Sequence, residues 1–232
     1  MSRHWISVSC SIAKDETEQI YTQLINPALS EISDGVKGLY CDGEPCLLKP
    51  LRETFLFVPV QLCVFRKYRR AHQLAPFLRP KTALDREIKE RVSQVLFAFS
   101  KDIAIAKLQE LKQFAQERRG YKKLQDVIGV LKRNFDLLLT HFDNPGMSPY
   151  NNVLEGFNRI IKRRTRLMKG FKKSINIQRW LKLIILDRRF HSLKESQWKN
   201  RNNFCPLQLA DVGLPKIHNW LSFVRKNRKI SN

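Results

Sequence analysis

Up to Phe65 the chain alternates strand-like and helix-like stretches, and from there to Phe142 only helical spacing is left. That switch constrains the fold more than any single motif. Alternating strands and helices must share one sheet, whereas a run of helices must pack on itself. Residues 5–12 (Trp-Ile-Ser-Val-Ser-Cys-Ser-Ile) alternate apolar with small polar side chains and predict a strand with one buried face. Asp15 and Glu18 have the spacing of an acidic capping box. Ile20, Tyr21, Leu24, Ile25, Ala28 and Leu29 then recur at helical intervals as far as Ser33-Asp34-Gly35. Residues 36–41 predict a second strand, closed by the turn Asp42-Gly43-Glu44-Pro45. Residues 47–55 predict a helix and 58–64 a third strand. Strand, helix, strand, helix, strand implies a parallel α/β unit with right-handed crossovers. Functional groups in such sheets gather at the carboxyl ends of the strands, where Asp42 falls.

After Phe65, Arg66-Lys67-Tyr68-Arg69-Arg70 opens a basic helix, and Pro76 and Pro80 interrupt the chain. Residues 82–98, 102–119 and 121–142 predict three amphipathic helices. Ile103, Leu108 and Leu111 share one face, and Leu124, Val127, Ile128, Leu131, Phe135 and Leu138 another. Residues 180–190 predict a further apolar helix. Residues 215–229 predict a last one, with Trp220, Leu221 and Val224 on one side.

A hydrophobic fraction of 43% in 232 residues supplies a globular interior and excludes wholesale disorder. The formal net charge of +22 points to a polyanionic partner, nucleic acid first and an anionic membrane surface second. No apolar run has the length of a membrane span, and no signal-peptide core stands near Met1. The five cysteines are odd in number, lack zinc spacing, and read as reduced thiols of a cytoplasmic protein. The five histidines are scattered without metal-ligand spacing, and no Gly-rich phosphate loop or Ser-His-Asp arrangement is present.

One stretch carries more chemistry than the rest. Ser148-Pro149 precedes Tyr150-Asn151-Asn152-Val153-Leu154-Glu155-Gly156-Phe157-Asn158, and a dense basic run follows. An acid in the first turn of a helix can hold a metal ion, while cations further along hold phosphates. The plainer alternative is a surface helix with one acid and a solvated basic face. Asn-Asn-x-x-Glu, followed by Asn158, Lys162, Arg163, Arg164, Arg166, Gly170 and Phe171 in step, resembles the C-terminal signature of DDE-type insertion-sequence transposases. In that family the Glu is the third catalytic acid, on a helix of a ribonuclease-H-like core. Asp42, read alone, is a turn residue. However, Tyr40-Cys41-Asp42-Gly43-Glu44-Pro45 followed by Gln61-Leu62-Cys63-Val64-Phe65 is similar to the middle of the same transposases, in the mutator-like branch. There an Asp-Gly supplies the second acid, and a helical insertion precedes the Glu.

The resemblance implies a partial ribonuclease-H-like α/β core over residues 1–65 and an all-helical insertion over 66–144. The Glu155 helix and a core helix would follow over 145–192, then a C-terminal tail over 193–232. It implies DNA transposition by strand cleavage and transfer, with Asp42 and Glu155 as catalytic metal ligands for Mg²⁺ or Mn²⁺. Such chemistry uses two cations about 4 Å apart. The implied partners are transposon-end and target DNA, with a homo-oligomer in the transposition complex, in a prokaryotic cytoplasm at the nucleoid. Phosphate contacts are expected from Arg66, Lys67, Arg69, Arg70, Asn158, Lys162, Arg163, Arg164, Arg166, Lys169, Lys172 and Lys173.

Two departures qualify the implied activity. The strand at 5–12 resembles the third strand of the family's core, so the segment bearing the first catalytic Asp is missing and an N-terminally truncated, catalytically impaired copy is expected. In addition, Arg66 stands where the family pattern Gln-x-Cys-x-x-His has its His, and it replaces a titratable ring with a permanent cation. The alternatives are a non-catalytic DNA-binding protein derived from a transposase, and a nuclease of the same fold with Asp15, Glu16 or Asp34 completing the acid set.

Overall fold

The computed structural model describes residues 15–30, 35–74, 80–166, 174–196 and 199–209. The expected strand at 5–12, Asp34 and the helix at 215–229 lie outside them. Helix α1 (Glu18–Ser30) opens the described chain. Its start differs from the expected acidic capping box: the Ile20 amide donates to the Thr17 hydroxyl at 3.4 Å. Thr17 directly precedes the first turn, whereas Asp15 stands two residues before Thr17.

Strand β1 (Leu39–Cys41), helix α2 (Pro45–Thr54) and strand β2 (Val60–Leu62) form a parallel β–α–β unit, with Leu39 opposite Val60 and Cys41 opposite Leu62. Pro45 sits in the first turn of α2, where its missing N–H costs nothing and its fixed φ suits the helix. Both strands are shorter than their sequence patterns, for a physical reason at each end. Pro59 accepts from the Leu39 amide at 2.9 Å but has no N–H of its own to extend the ladder. At the other end the Cys63 amide still donates to the Cys41 carbonyl, and then Val64 enters the next helix.

That helix is α3 (Val64–Leu74), followed by α4 (Ala83–Leu96), α5 (Lys101–Gln116), α6 (Lys122–Lys132), α7 (Phe135–Leu138) and α8 (Thr140–Asp143). Helix α4 starts with a capping box in which Thr82 accepts from the Asp85 amide and Asp85 accepts from the Thr82 amide. Asp85 also accepts from the Tyr121 hydroxyl at 3.2 Å, which ties the entrance of α4 to that of α6. The helix predicted over 121–142 is broken into α6, α7 and α8. Asn134, between the first two, takes a left-handed conformation with φ 53°, which an α-helix cannot accommodate. Ile88, Val92 and Val95 of α4, Ala104, Leu108 and Leu111 of α5, and Leu124, Val127 and Leu131 of α6 form the core of this helical region. Each fully buried Leu, Ile or Val there contributes roughly 1.5–3 kcal/mol.

The remaining helices are α9 (Asn152–Arg166), α10 (Ser174–Phe190) and α11 (Pro206–Leu209). Leu181, Ile184 and Ile185 form the buried stripe of α10, and α11 packs on that helix. The Leu193 amide donates to the Phe204 carbonyl at 3.0 Å and the Leu193 carbonyl accepts from the Asn203 amide at 2.7 Å, and these bonds bring the two helices together. The chain divides into two compact units, Asp34–Asn152 and the joined segments Met1–Ser33 and Val153–Asn232. Among the described residues the fold is mostly helical, with one small two-stranded parallel sheet.

Candidate functional site

Asp42 stands directly after β1, and the chain turns away from it at Gly43, whose φ of 88° is open to glycine and strained for other residues. Because β1 and β2 are in parallel register, the residues that follow both strands emerge on the same sheet edge. The second strand delivers the first turn of α3 there, and Arg66 places Nη2 3.1 Å from Asp42 Oδ2. Neighbouring Cys41 is fully buried, and burial raises its thiol to about 11, so it stays protonated and packs as an apolar group.

The same edge receives the segment that leads into α9. Val64 donates to the Pro149 carbonyl at 3.0 Å, Ser148 donates to the Tyr40 hydroxyl at 2.9 Å, and the Asn151 amide lies 3.5 Å from Cys63 Sγ. One step earlier, the fully buried Gln61 holds the junction of α7 and α8. Its Nε2 donates to the carbonyls of Leu62 and Leu138, and its Oε1 accepts from the His141 amide at 2.7 Å. His141 Nδ1 faces two oxygens, Gln61 Oε1 and the Leu138 carbonyl, so that nitrogen carries the proton. Burial holds the His141 pKa below its ordinary value and keeps the ring neutral, against the opposing Leu138 hydrogen bond. Gln61 and Cys63, two letters of the sequence motif, are thus brought together as clamps on residues 138–151.

On α9, Glu155 lies in the first turn and half-buried. Asn158, Arg159, Lys162, Arg163, Arg164 and Arg166 are exposed, while Phe157, Ile160 and Ile161 turn partly inward. Positions 155, 159, 162, 163 and 166 repeat at helical spacing, so acid and cations share one face. Arg164 differs from its neighbours: its Nη1 pairs with Asp187 of α10 at 2.9 Å. Arg159 was not among the expected contacts, because the basic run was counted only from Lys162. Its signal is the four-residue spacing from Glu155. Lys169, Lys172 and Lys173 lie outside the described residues.

The cations of α3 fall into two groups. Arg69 and Arg70 are exposed, with the Arg69 guanidinium 5.5 Å from the Phe65 ring centre and Arg70 donating to Gln73 at 3.2 Å. Lys67 instead turns its ammonium onto the end of α6, donating to the Val130 and Arg133 carbonyls at 3.1 and 2.8 Å. These orphan carbonyls at a helix C-terminus are natural partners for a cation.

Asp42 meets a guanidinium, and no three His, Cys, Asp or Glu side chains come together to hold a metal ion among the described residues. Those residues, as they stand, do not fit a divalent-cation centre. No described helix is long and apolar enough to cross a membrane.

Comparison with known families decides what this set of residues belongs to. A family model described as Transposase, Mutator family matches residues 5–196, a span that holds Asp42, Gln61, Cys63, Arg66 and Glu155. The chain belongs to the Mutator family of transposases. No curated protein and no solved structure matches it. DNA transposition is the activity that the family implies, and in this Mutator-family chain the clamps at Gln61, Cys63 and Tyr40 lie within the matched span.

Proposed function

We propose that this chain is the DNA-binding part of a DDE-type transposition machine. The cationic face of α9 and the outward Arg69 and Arg70 of α3 hold transposon-end or target DNA, and Asp42 and Glu155 are two of the acids of a ribonuclease-H-like core. The observation that carries this reading is α9, an exposed row of cations on the same helical face as a first-turn acid, in a chain of net charge +22. In this reading residues 1–65 and 145–192 supply the core, 66–144 the helical insertion and 193–232 the tail. The family's chemistry draws on Mg²⁺ or Mn²⁺, which the described residues alone do not hold, and the place of action in this reading is the nucleoid of a prokaryotic cytoplasm. The ion pair that occupies the Asp42 carboxylate supports a chain that binds DNA well and cuts it poorly. The ion pair at Asp42 favours the second reading, a non-catalytic DNA-binding protein, over a repurposed nuclease.

Salt dependence tests the binding. Each neutralised phosphate contributes about −0.9 to the slope of log K against log salt for duplex DNA. Replacing Arg163 and Arg166 together with Ala should flatten the slope by about 1.8 if both touch phosphate. Arg164→Ala should change it by less than half as much as either neighbour, because its guanidinium is held by Asp187. A fluorescence-anisotropy titration at several salt concentrations reads all three. An unchanged slope in the double variant would return the basic run to a solvated surface.

A further inference from the structure

We propose that Arg66 is a built-in counter-ion that occupies the Asp42 carboxylate and keeps divalent cations from it. The inference rests on the reading of Asp42 as an acid of the site, and it concerns what controls that acid in this chain.

The pairing follows from the fold and not from the reach of two long side chains. Asp42 is the first residue after β1, and Arg66 lies in the first turn after β2. Cys41 pairs with Leu62 in the ladder, and the Cys63 amide extends it by one bond to the Cys41 carbonyl at 2.9 Å. Gly43 then fixes the direction in which the chain leaves the acid. Two short rigid connections therefore present a carboxylate and a guanidinium to each other across one sheet edge, with Nη2 3.1 Å from Oδ2.

The chemistry then follows from charge. A cation bound at Oδ2 would lie within a few ångströms of the Arg66 guanidinium, a group of like charge. It would have to displace that partner or bind against like charge. Both groups are about half exposed, at 54% and 39% of their side-chain surfaces, so water moderates the repulsion. In near-aqueous surroundings, the repulsion between a guanidinium and a divalent cation a few ångströms apart weakens cation affinity by about tenfold while Arg66 is present. The same exposure means that the ion pair adds little to folding, so neutralising Arg66 leaves the fold in place.

The test is Mn²⁺ binding by the full 232-residue chain, read from the electron paramagnetic resonance signal of the free ion, without DNA and without an activity assay. Arg66→Gln should tighten binding about tenfold, and the gain should vanish in the double variant Arg66→Gln with Asp42→Asn. Arg66→Lys keeps the charge and should bind as the parent does. Arg66→His, measured alongside, is a second small replacement should the Gln variant fold poorly, with circular dichroism checking each fold. Equal Mn²⁺ affinity in the parent and in a folded Arg66→Gln or Arg66→His variant overturns the counter-ion. If Asp42→Asn weakens binding in that same experiment, the reading of Asp42 as a cation-binding acid survives alone. A gain in Arg66→Gln that persists in the double variant overturns both, since the cation then binds elsewhere.

Discussion

Lys67 shows how one residue of a basic run is diverted to holding the fold together. Its ammonium donates to the Val130 and Arg133 carbonyls, and those bonds favour the charged form. Burial, and then the positive charge of Arg133, outweigh them and lower its pKa from 10.5 to about 8. The unfolded chain therefore holds this proton more tightly than the native one between about pH 8 and 10.5, and stability rises with pH across that window. The contribution is complete above the unfolded value and lost as pH falls through the folded one. Cys41, raised from 9.0 to about 11, contributes the opposite slope above about pH 9 in both chains. The quantity to follow is therefore the stability of the parent minus that of Lys67→Met in urea at pH 7.5, 9 and 10, which should rise with pH. A difference that stays flat with pH would place the titrating group elsewhere. Sequence alone puts Lys67 with Arg66, Arg69 and Arg70, since all four are adjacent cations. What separates it is the turn of α3 that faces α6, a contact made by residues more than sixty positions apart.

Between elements, β2 is joined to the break between α7 and α8 by a buried set of hydrogen bonds. Gln61 is fully buried there, with two carbonyls and one amide as partners, and Thr140 adds a bond from its hydroxyl to the Val60 carbonyl at 2.8 Å. Gln61→Leu keeps the volume and removes every partner, leaving buried backbone groups unsatisfied at about 1–3 kcal/mol each. Allowing for relaxation, the variant should lose about 2–4 kcal/mol in urea unfolding, whereas Gln61→Glu should lose less at acid pH, where a neutral carboxyl keeps the acceptor. A loss below about 0.5 kcal/mol for Gln61→Leu would show that the junction holds without the clamp. The helices of this region were legible because Leu, Ile and Val repeat at three and four residues through 88–131. The break at Asn134 was not, since the apolar stripe runs past it and a left-handed residue leaves no mark in hydrophobic spacing. Strand ends were overextended for a related reason. Val58 and Val64 suit a strand, and only the missing N–H of Pro59 and the early start of α3 cut the ladder back. In the candidate site, Asp42 and Glu155 were legible as a motif, but the guanidinium on Asp42 needed the register of two strands.

At the scale of the whole molecule, charge and carboxylate number pull apart the two halves of a transposase's work. Forty-three Lys and Arg against 21 Asp and Glu favour a polyanion wherever it lands, and this attraction needs no single residue. Strand cleavage is more demanding, because the attacking and leaving oxygens must both be stabilised at one place by a fixed set of acids. Among the described residues no such set is gathered. Asp42 is paired with Arg66. The expected outcome is a 232-residue chain that binds duplex DNA with a steep salt dependence and nicks it no faster than Glu155→Gln, with Mg²⁺ or Mn²⁺ present. A supercoiled-plasmid nicking assay beside an anisotropy titration measures both on one preparation. Binding without nicking, in the parent and Glu155→Gln alike, is the predicted pattern. Nicking by the parent that is lost in Glu155→Gln would show that the acids do assemble on DNA. In that case Asp15, Glu16 and Asp34 become the residues to replace next, since each is an acid outside the pair that could complete the set.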